Sequence, residues 1–161
     1  MGASATAGKA SDEVRSRARA VVISFGAAVA MGIALLVLFE PDVQRDNATE
    51  LLFRKDDARD FFIGDFAFVL LYAVLSPIAI WRFAQVADPR WRRGLTGAVV
   101  LLPMAGLVDA TENVLLWSSV GEFSPDAVHT AHALAYPKFA LFAAGAAFGV
   151  YALVKAIRAL R

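Results

Sequence analysis

Four long apolar stretches constrain the fold of this chain more than any other feature of its sequence. They cover residues 20–39, 61–83, 95–117 and 133–157. Each is close to the ~20 residues that a helix needs to cross a bilayer, and none alternates between apolar and polar residues as the strands of a membrane barrel do. Helices also satisfy their own backbone groups, which lipid cannot do. We therefore predict an all-α fold, a four-helix transmembrane bundle with up-down topology.

The composition agrees with this prediction. Of the 161 residues, 58% are hydrophobic, whereas a soluble domain is about 45–50% apolar. The sequence has no cysteine, which excludes disulfides and thiol chemistry, and its net charge of +1 gives no sign of nucleic-acid binding. We predict one membrane domain over 20–161, preceded by a disordered basic tail over 1–19. The first apolar stretch is too long for a signal-peptide core, so we interpret it as an uncleaved span.

Basic residues predict the orientation. In an up-down layout most of them fall on the side that holds both termini: Lys9, Arg15, Arg17, Arg19, Arg82, Arg90, Arg92, Arg93, Lys155, Arg158 and Arg161. The positive-inside rule then places the N-terminus and the C-terminus in the cytoplasm. The excess of Arg over Lys and the abundance of Ala are typical of GC-rich bacteria, so we expect a multi-pass protein of the bacterial inner (plasma) membrane.

The connection over 40–60 is the one sizeable loop that this layout predicts. It is rich in acidic residues, which is typical of a solvated loop. Residues 47–50 also match a capping box, in which Asn47 caps a short helix and Glu50 reaches back. In that alternative, residues 51–53 would rest on the membrane surface as a lid.

Ionisable residues inside apolar spans are expensive to bury and are hypotheses of function by default. The second stretch contains Asp65 and Tyr72, and the fourth contains Lys138 just after a proline. In the third, Asp109, Glu112 and Asn113 are spaced i, i+3 and i+4, which places them on one helical face. Measured along each predicted span, the charged residues fall in one layer in the outer half of the membrane. We predict Asp109, Glu112 and Lys138 as catalytic residues, and Asn113, Asp65 and Tyr72 as ligand-binding residues.

The charges of this layer do not balance, since it holds three acids and one lysine. Burial and like-charge repulsion both oppose ionisation of a carboxyl group. Either at least one acid is protonated, or a cation completes the site. The candidates are a protonated His129 or His132, Arg59, a metal ion or a ligand amine. The two histidines precede the fourth stretch, where we expect loop or helix-cap residues. They are the alternative metal ligands, although the Glu-x-x-His pattern of di-iron bundles is absent.

Three functions are compatible with such a layer. The first is a buried pocket near the outer face that binds, or acts on, a lipophilic or amine-bearing small molecule. The second is a non-enzymatic membrane scaffold or accessory subunit whose intramembrane charges fix helix packing. The third is a proton or cation pathway. We predict no cofactor, and as partners the lipid bilayer, a lipophilic ligand, and either a second copy or another membrane protein. The small-residue motifs Ala28-x-x-x-Gly32 and Gly145-x-x-x-Gly149 are typical of close helix packing, within the bundle or in a dimer.

The segment around Asp109, Glu112 and Asn113 resembles the Asp-x-x-Glu-Asn helix of small, uncharacterised bacterial four-span membrane proteins. The Ala-Tyr-Pro-Lys start of the fourth stretch, ending at Lys138, is similar to theirs as well. This resemblance covers the last three spans and implies a four-helix membrane bundle without implying an activity. A more distant analogy is with the four-span sterol-isomerase and sigma-2-type group, which keeps acids inside its bundle to meet an amine or a carbocation.

Overall fold

The computed structural model describes residues 2–38, 55–118 and 124–161, and in these residues all regular structure is helical. The elements in chain order are α1 (Gly2–Leu38), α2 (Lys55–Val69), a π-helical segment (Leu70–Leu75), α3 (Ser76–Val86), a 3-10 turn (Pro89–Trp91), α4 (Arg92–Ser118) and α5 (Pro125–Leu160).

Four helical stretches are long and apolar enough to cross a membrane. They are Ser11–Leu35, Phe61–Val86, Pro89–Ser118 and Pro125–Leu160, which we call spans 1 to 4. Span 2 continues through the π-helical segment, so α2 and α3 form one rod. The prediction of an all-α chain with four such helices is confirmed for the described residues.

All four spans contribute to one apolar core. Span 4 packs along span 3 and also contacts span 1, which in turn packs against span 2. The apolar residues with 0–1% exposure are Ala18, Val21, Ile80, Phe83, Leu95, Ala98, Leu102, Ala105, Ala131, Ala152 and Ala156. Many of them are alanines, because small side chains let helix backbones approach closely in a bundle that lacks a hydrophobic drive against lipid.

The glycine motifs pack within the chain. A Cβ atom added at Gly145 would lie 2.9 Å from Leu102 Cδ2, and one added at Gly149 would overlap the Phe25 ring. A Cβ at Gly32 would lie 3.2 Å from Phe68 Cε2. The motif of span 4 therefore meets spans 3 and 1, and that of span 1 meets span 2.

The first helix differs from its expected start, because α1 begins at Gly2 and includes the segment predicted to be a disordered tail. This segment is rich in alanine, the strongest helix former. Its last part is also held to span 2. The Arg17 guanidinium contacts the Glu13 carboxylate one turn away and donates to the Arg82 carbonyl (2.9 Å) and to Gln85 Oε1 (3.1 Å).

The fourth helix also begins earlier than its apolar stretch. The Ser124 side chain caps it by accepting a hydrogen bond from the Ala127 N–H (3.4 Å), and Pro125 occupies its first turn. Both features favour a helix start. The helix then runs through Pro137, although a proline has no N–H to bond the carbonyl four residues earlier.

The acidic connection over 40–60 lies largely outside the described residues. This applies to the proposed cap at Asn47 and to the lid over 51–53. The described part begins at residue 55, where the backbone is already helical in α2.

Candidate functional site

Six polar side chains from three spans meet inside the bundle. They are Asp65 and Tyr72 of span 2, Asp109, Glu112 and Asn113 of span 3, and Lys138 of span 4, and we call them the polar cluster. The three span 3 residues are only 3–9% exposed. The i, i+3, i+4 spacing accounts for their common orientation. All six predicted catalytic and ligand-binding residues thus fall in one place.

Spans 2 and 3 are joined by two polar contacts. The Tyr72 hydroxyl donates a hydrogen bond to Asp109 Oδ2 (2.8 Å). One turn further along span 3, Asn113 Nδ2 donates to Asp65 Oδ2 (2.5 Å). Because its amide is engaged by this bond, Asn113 orients the Asp65 carboxylate.

Lys138 joins span 4 to span 3. Its Nζ atom lies 2.5 Å from Glu112 Oε2 and 3.3 Å from Asp109 Oδ1, and its side chain is 16% exposed. The two carboxylate oxygens are themselves inaccessible. One ammonium therefore bridges two buried carboxyl groups, in the geometry of a three-membered ionic network.

Aromatic rings form one wall of the cluster. The Tyr72 ring stands edge-on to Phe142 of span 4 with centroids 5.1 Å apart, and its centroid lies 4.9 Å from that of Phe68. Lys138 Nζ lies 5.0 Å from the centroid of Phe139. Aromatic faces attract cations as well as apolar groups, and here one of these rings faces the Lys138 ammonium.

The charges are shared unequally among the three acids. Asp109 and Glu112 are both within reach of the lysine ammonium, whereas the partner of Asp65 is the neutral amide of Asn113. Asp65 is also the least buried of the three. If all three acids are ionised, the network has two negative charges in excess, and Asp65 is the carboxylate without a cationic partner among the described residues.

The histidines lie apart from this network. His129 and His132 are in α5 rather than in a loop, and both side chains are exposed. Both lie in the helix because it begins at Pro125, eight residues before the apolar stretch. In the described ranges no group of three His, Asp or Glu side chains is placed to hold a metal ion. The side chain of Arg59 lies outside the described residues.

The π-helical segment over Leu70–Leu75 is the part of the site that sequence reasoning missed. Both the N–H and the hydroxyl of Ser76 are bonded to the Leu71 carbonyl, five residues earlier, the latter at 2.9 Å. Pro77 follows directly, and its ring disfavours a regular turn because it would clash with the carbonyl four residues before it. A serine–proline pair inside an apolar span was the available signal. π-Helical turns are frequent at functional sites, and this one carries Tyr72.

Compared with known proteins, the chain matches no family model, no curated protein and no solved structure.

Proposed function

We propose that this chain is a multi-pass protein of the bacterial inner membrane whose polar cluster binds a lipophilic, amine-bearing small molecule. In this proposal the spans alternate in direction and both termini are cytoplasmic. The contacts that pair Asp65 with Asn113, and Gly94 with Tyr151, support antiparallel neighbours. The resemblance to small bacterial four-span proteins with an Asp-x-x-Glu-Asn helix belongs to the same proposal.

The observation that carries the proposal is the excess of carboxyl groups over ammonium groups in a buried cluster. An uncompensated charge is far costlier in low dielectric than in water. A ligand with one ammonium group removes one of the two excess charges, and the half-buried Asp65 is the carboxylate that such a ligand reaches without displacing Lys138. The rings of Phe68 and Tyr72 lie on the same side of span 2 and suit the apolar part of the ligand.

The remaining polar side chains have complementary roles in this proposal. Asn113 holds the Asp65 carboxylate towards the ligand. Lys138 keeps at least one of Asp109 and Glu112 ionised, and these two share any proton transferred to or from the ligand, as acid–base pairs do when their environments differ.

The test compares a lipophilic amine with its neutral analogue. The full chain is placed in phosphatidylcholine nanodiscs, and its melting temperature is measured with dodecylamine or with dodecanol. We expect the amine to raise the melting temperature and the alcohol to leave it unchanged, since binding to the folded state stabilises it by about 2.7 kcal/mol at 100 times the Kd. Asp65→Asn keeps the side-chain shape and removes the charge, so it should abolish the amine effect.

The matched control is Asp126→Asn, which removes an exposed carboxylate in the first turn of α5. It should keep the wild-type response to dodecylamine. The proposal fails if the amine stabilises Asp65→Asn as much as wild type, because the effect would then come from the bilayer. It also fails if dodecylamine stabilises neither protein.

The second candidate function is a membrane scaffold or accessory subunit, and one observation favours it. Every polar contact of the cluster joins two different spans: Tyr72 and Asp65 join span 2 to span 3, and Lys138 joins span 4 to span 3. Such contacts can fix the register of helices in the absence of any ligand.

A charge-neutral triple variant separates the two candidates. In Asp109→Asn, Glu112→Gln, Lys138→Met the network loses its charges with little change of volume. If the cluster serves ligand binding, the free energy of unfolding of the triple variant should lie within about 1 kcal/mol of the wild-type value. The reason is that polar contacts between membrane helices average about 0.6 kcal/mol. A variant that melts far lower, or does not assemble, would favour the scaffold.

A further inference from the structure

A cationic site distinct from the polar cluster lies where the start of span 3 meets the end of span 4. Lys155 Nζ lies 5.0 Å from the centroid of Trp91 and 5.1 Å from that of Tyr151. Trp91 opens span 3, and Tyr151 is one turn before Lys155 on span 4. A Cβ atom at Gly94 would lie 2.6 Å from Tyr151 Cε1, so the absence of a side chain there lets the tyrosine ring rest on span 3.

The Lys155 ammonium is not paired with a carboxylate of the described residues. Within the described ranges its partners are aromatic faces, and no carboxylate lies within 4 Å of it. Arg158 is one turn further along span 4 and Arg92 follows Trp91. Both are exposed and have no carboxylate partner among the described residues. Further exposed arginines next to these in sequence are Arg90, Arg93 and Arg161.

We propose that Lys155, Arg158 and Arg92, with the rings of Trp91 and Tyr151, bind the headgroup of an anionic phospholipid. Tryptophan and tyrosine at the ends of apolar helices are typical of the headgroup level, and basic residues beside spans attract anionic lipids. The phosphate would accept hydrogen bonds from the ammonium and the guanidinium groups, while the acyl chains follow the apolar surface of span 4. A soluble acidic partner would use the same cations without needing the two rings.

This site is independent of the polar cluster, so either proposal can fail without the other. The test uses the full chain in detergent, titrated with phosphatidylglycerol or phosphatidylcholine, and counts bound lipid by native mass spectrometry. We expect wild type to prefer phosphatidylglycerol. Lys155→Gln, Arg158→Gln should lose roughly tenfold to thirtyfold of this preference, about fivefold for each cation removed.

The matched control is Arg15→Gln, Arg19→Gln, which removes the same charge from exposed positions on span 1. It should keep the wild-type preference. The single variant Arg158→Gln covers the case in which loss of Lys155 disturbs the packing of Trp91. Among the described residues the cation over the rings of Trp91 and Tyr151 is Lys155. Arg158→Gln therefore leaves that packing intact and should still lose part of the preference. The proposal is overturned if wild type shows no preference, or if the control pair loses as much as the Lys155 and Arg158 pair.

Discussion

The two halves of span 4 are attached to the bundle in different ways. In the second half, Gly145, Gly149, Ala152 and Ala156 recur every three or four residues, and all are buried. In the first half, residues 125–144, the single buried residue is Ala131. There Lys138 contacts Glu112 and Asp109 of span 3, and Phe142 packs against Phe68 and Tyr72 of span 2.

One helix thus combines two kinds of attachment. Small residues bring backbones together and gain from dispersion contacts along a whole face. A polar tie acts at one point and is individually weak in a membrane, because the separated helices also find polar partners there. We therefore expect the second half to carry most of the stability, and the first half, with Pro137 in it, to separate from the bundle more easily.

The largest loss of stability should follow from placing a large side chain in the close helix contact of the second half of span 4. In Gly149→Leu the new side chain would occupy the position of the Phe25 ring, which is 9% exposed and has little room to move. Overpacking usually costs about 1–3 kcal/mol and more where backbones must part. We expect a loss of more than about 3 kcal/mol, measured as the free energy of unfolding in detergent, or no assembled protein.

Gly26→Leu is the matched control, because no atom lies within 4 Å of a Cβ built at Gly26. The same substitution on this open surface should leave the stability close to that of wild type. If both variants are destabilised equally, the close contact at Gly149 does not determine the effect, because Leu is a better helix former than Gly at both positions. The contrast between the halves then loses its basis.

A medium effect is expected from two alanine positions in the same half of span 4. Ala152 is fully buried and Ala147 is exposed. Ala152→Leu should destabilise the chain by about 2 kcal/mol through overpacking, whereas Ala147→Leu adds apolar surface towards the outside and should be nearly neutral. The measurement is steric-trap or denaturant unfolding of both variants. Equal stabilities would mean that span 4 packs through another face.

Much of the architecture could be predicted from hydropathy alone, because a membrane span shows in the average hydropathy of about 20 consecutive residues. The second and third apolar stretches lie within Phe61–Val86 and Pro89–Ser118. The ends were less predictable. A helix can begin several residues before its apolar stretch where a capping side chain is present, as Ser124 is for α5. Residues 2–19 are helical because this part of the chain is rich in alanine, the strongest helix former.

The members of the polar cluster could be predicted, but their pairing could not. Helical spacing places Asp109, Glu112 and Asn113 on one face, and burial cost marks them as special. Which donor meets which acceptor depends on the rotation of span 2, and the π-helical segment changes that rotation before Pro77. Sequence patterns based on a regular 3.6-residue repeat cannot include such a local change.

The smallest effect should come from a single polar tie. Tyr72→Phe removes the hydroxyl that donates to Asp109 Oδ2 and keeps the ring between Phe68 and Phe142. We expect a loss of about 0.6 kcal/mol, the average for hydrogen bonds between membrane helices. The free energy of unfolding should be compared with that of Tyr136→Phe, since Tyr136 is 83% exposed on the first half of span 4 and should respond little.

A much larger loss would change the interpretation of the cluster. If Tyr72→Phe destabilised the chain as strongly as Ala152→Leu, the hydroxyl would hold more than one contact in place. The polar cluster would then act as a cooperative unit, in which loss of one donor leaves a buried carboxylate unsatisfied. The first half of span 4 would be fixed as firmly as the second, and entry of a ligand at Lys138 would need a larger opening of the bundle.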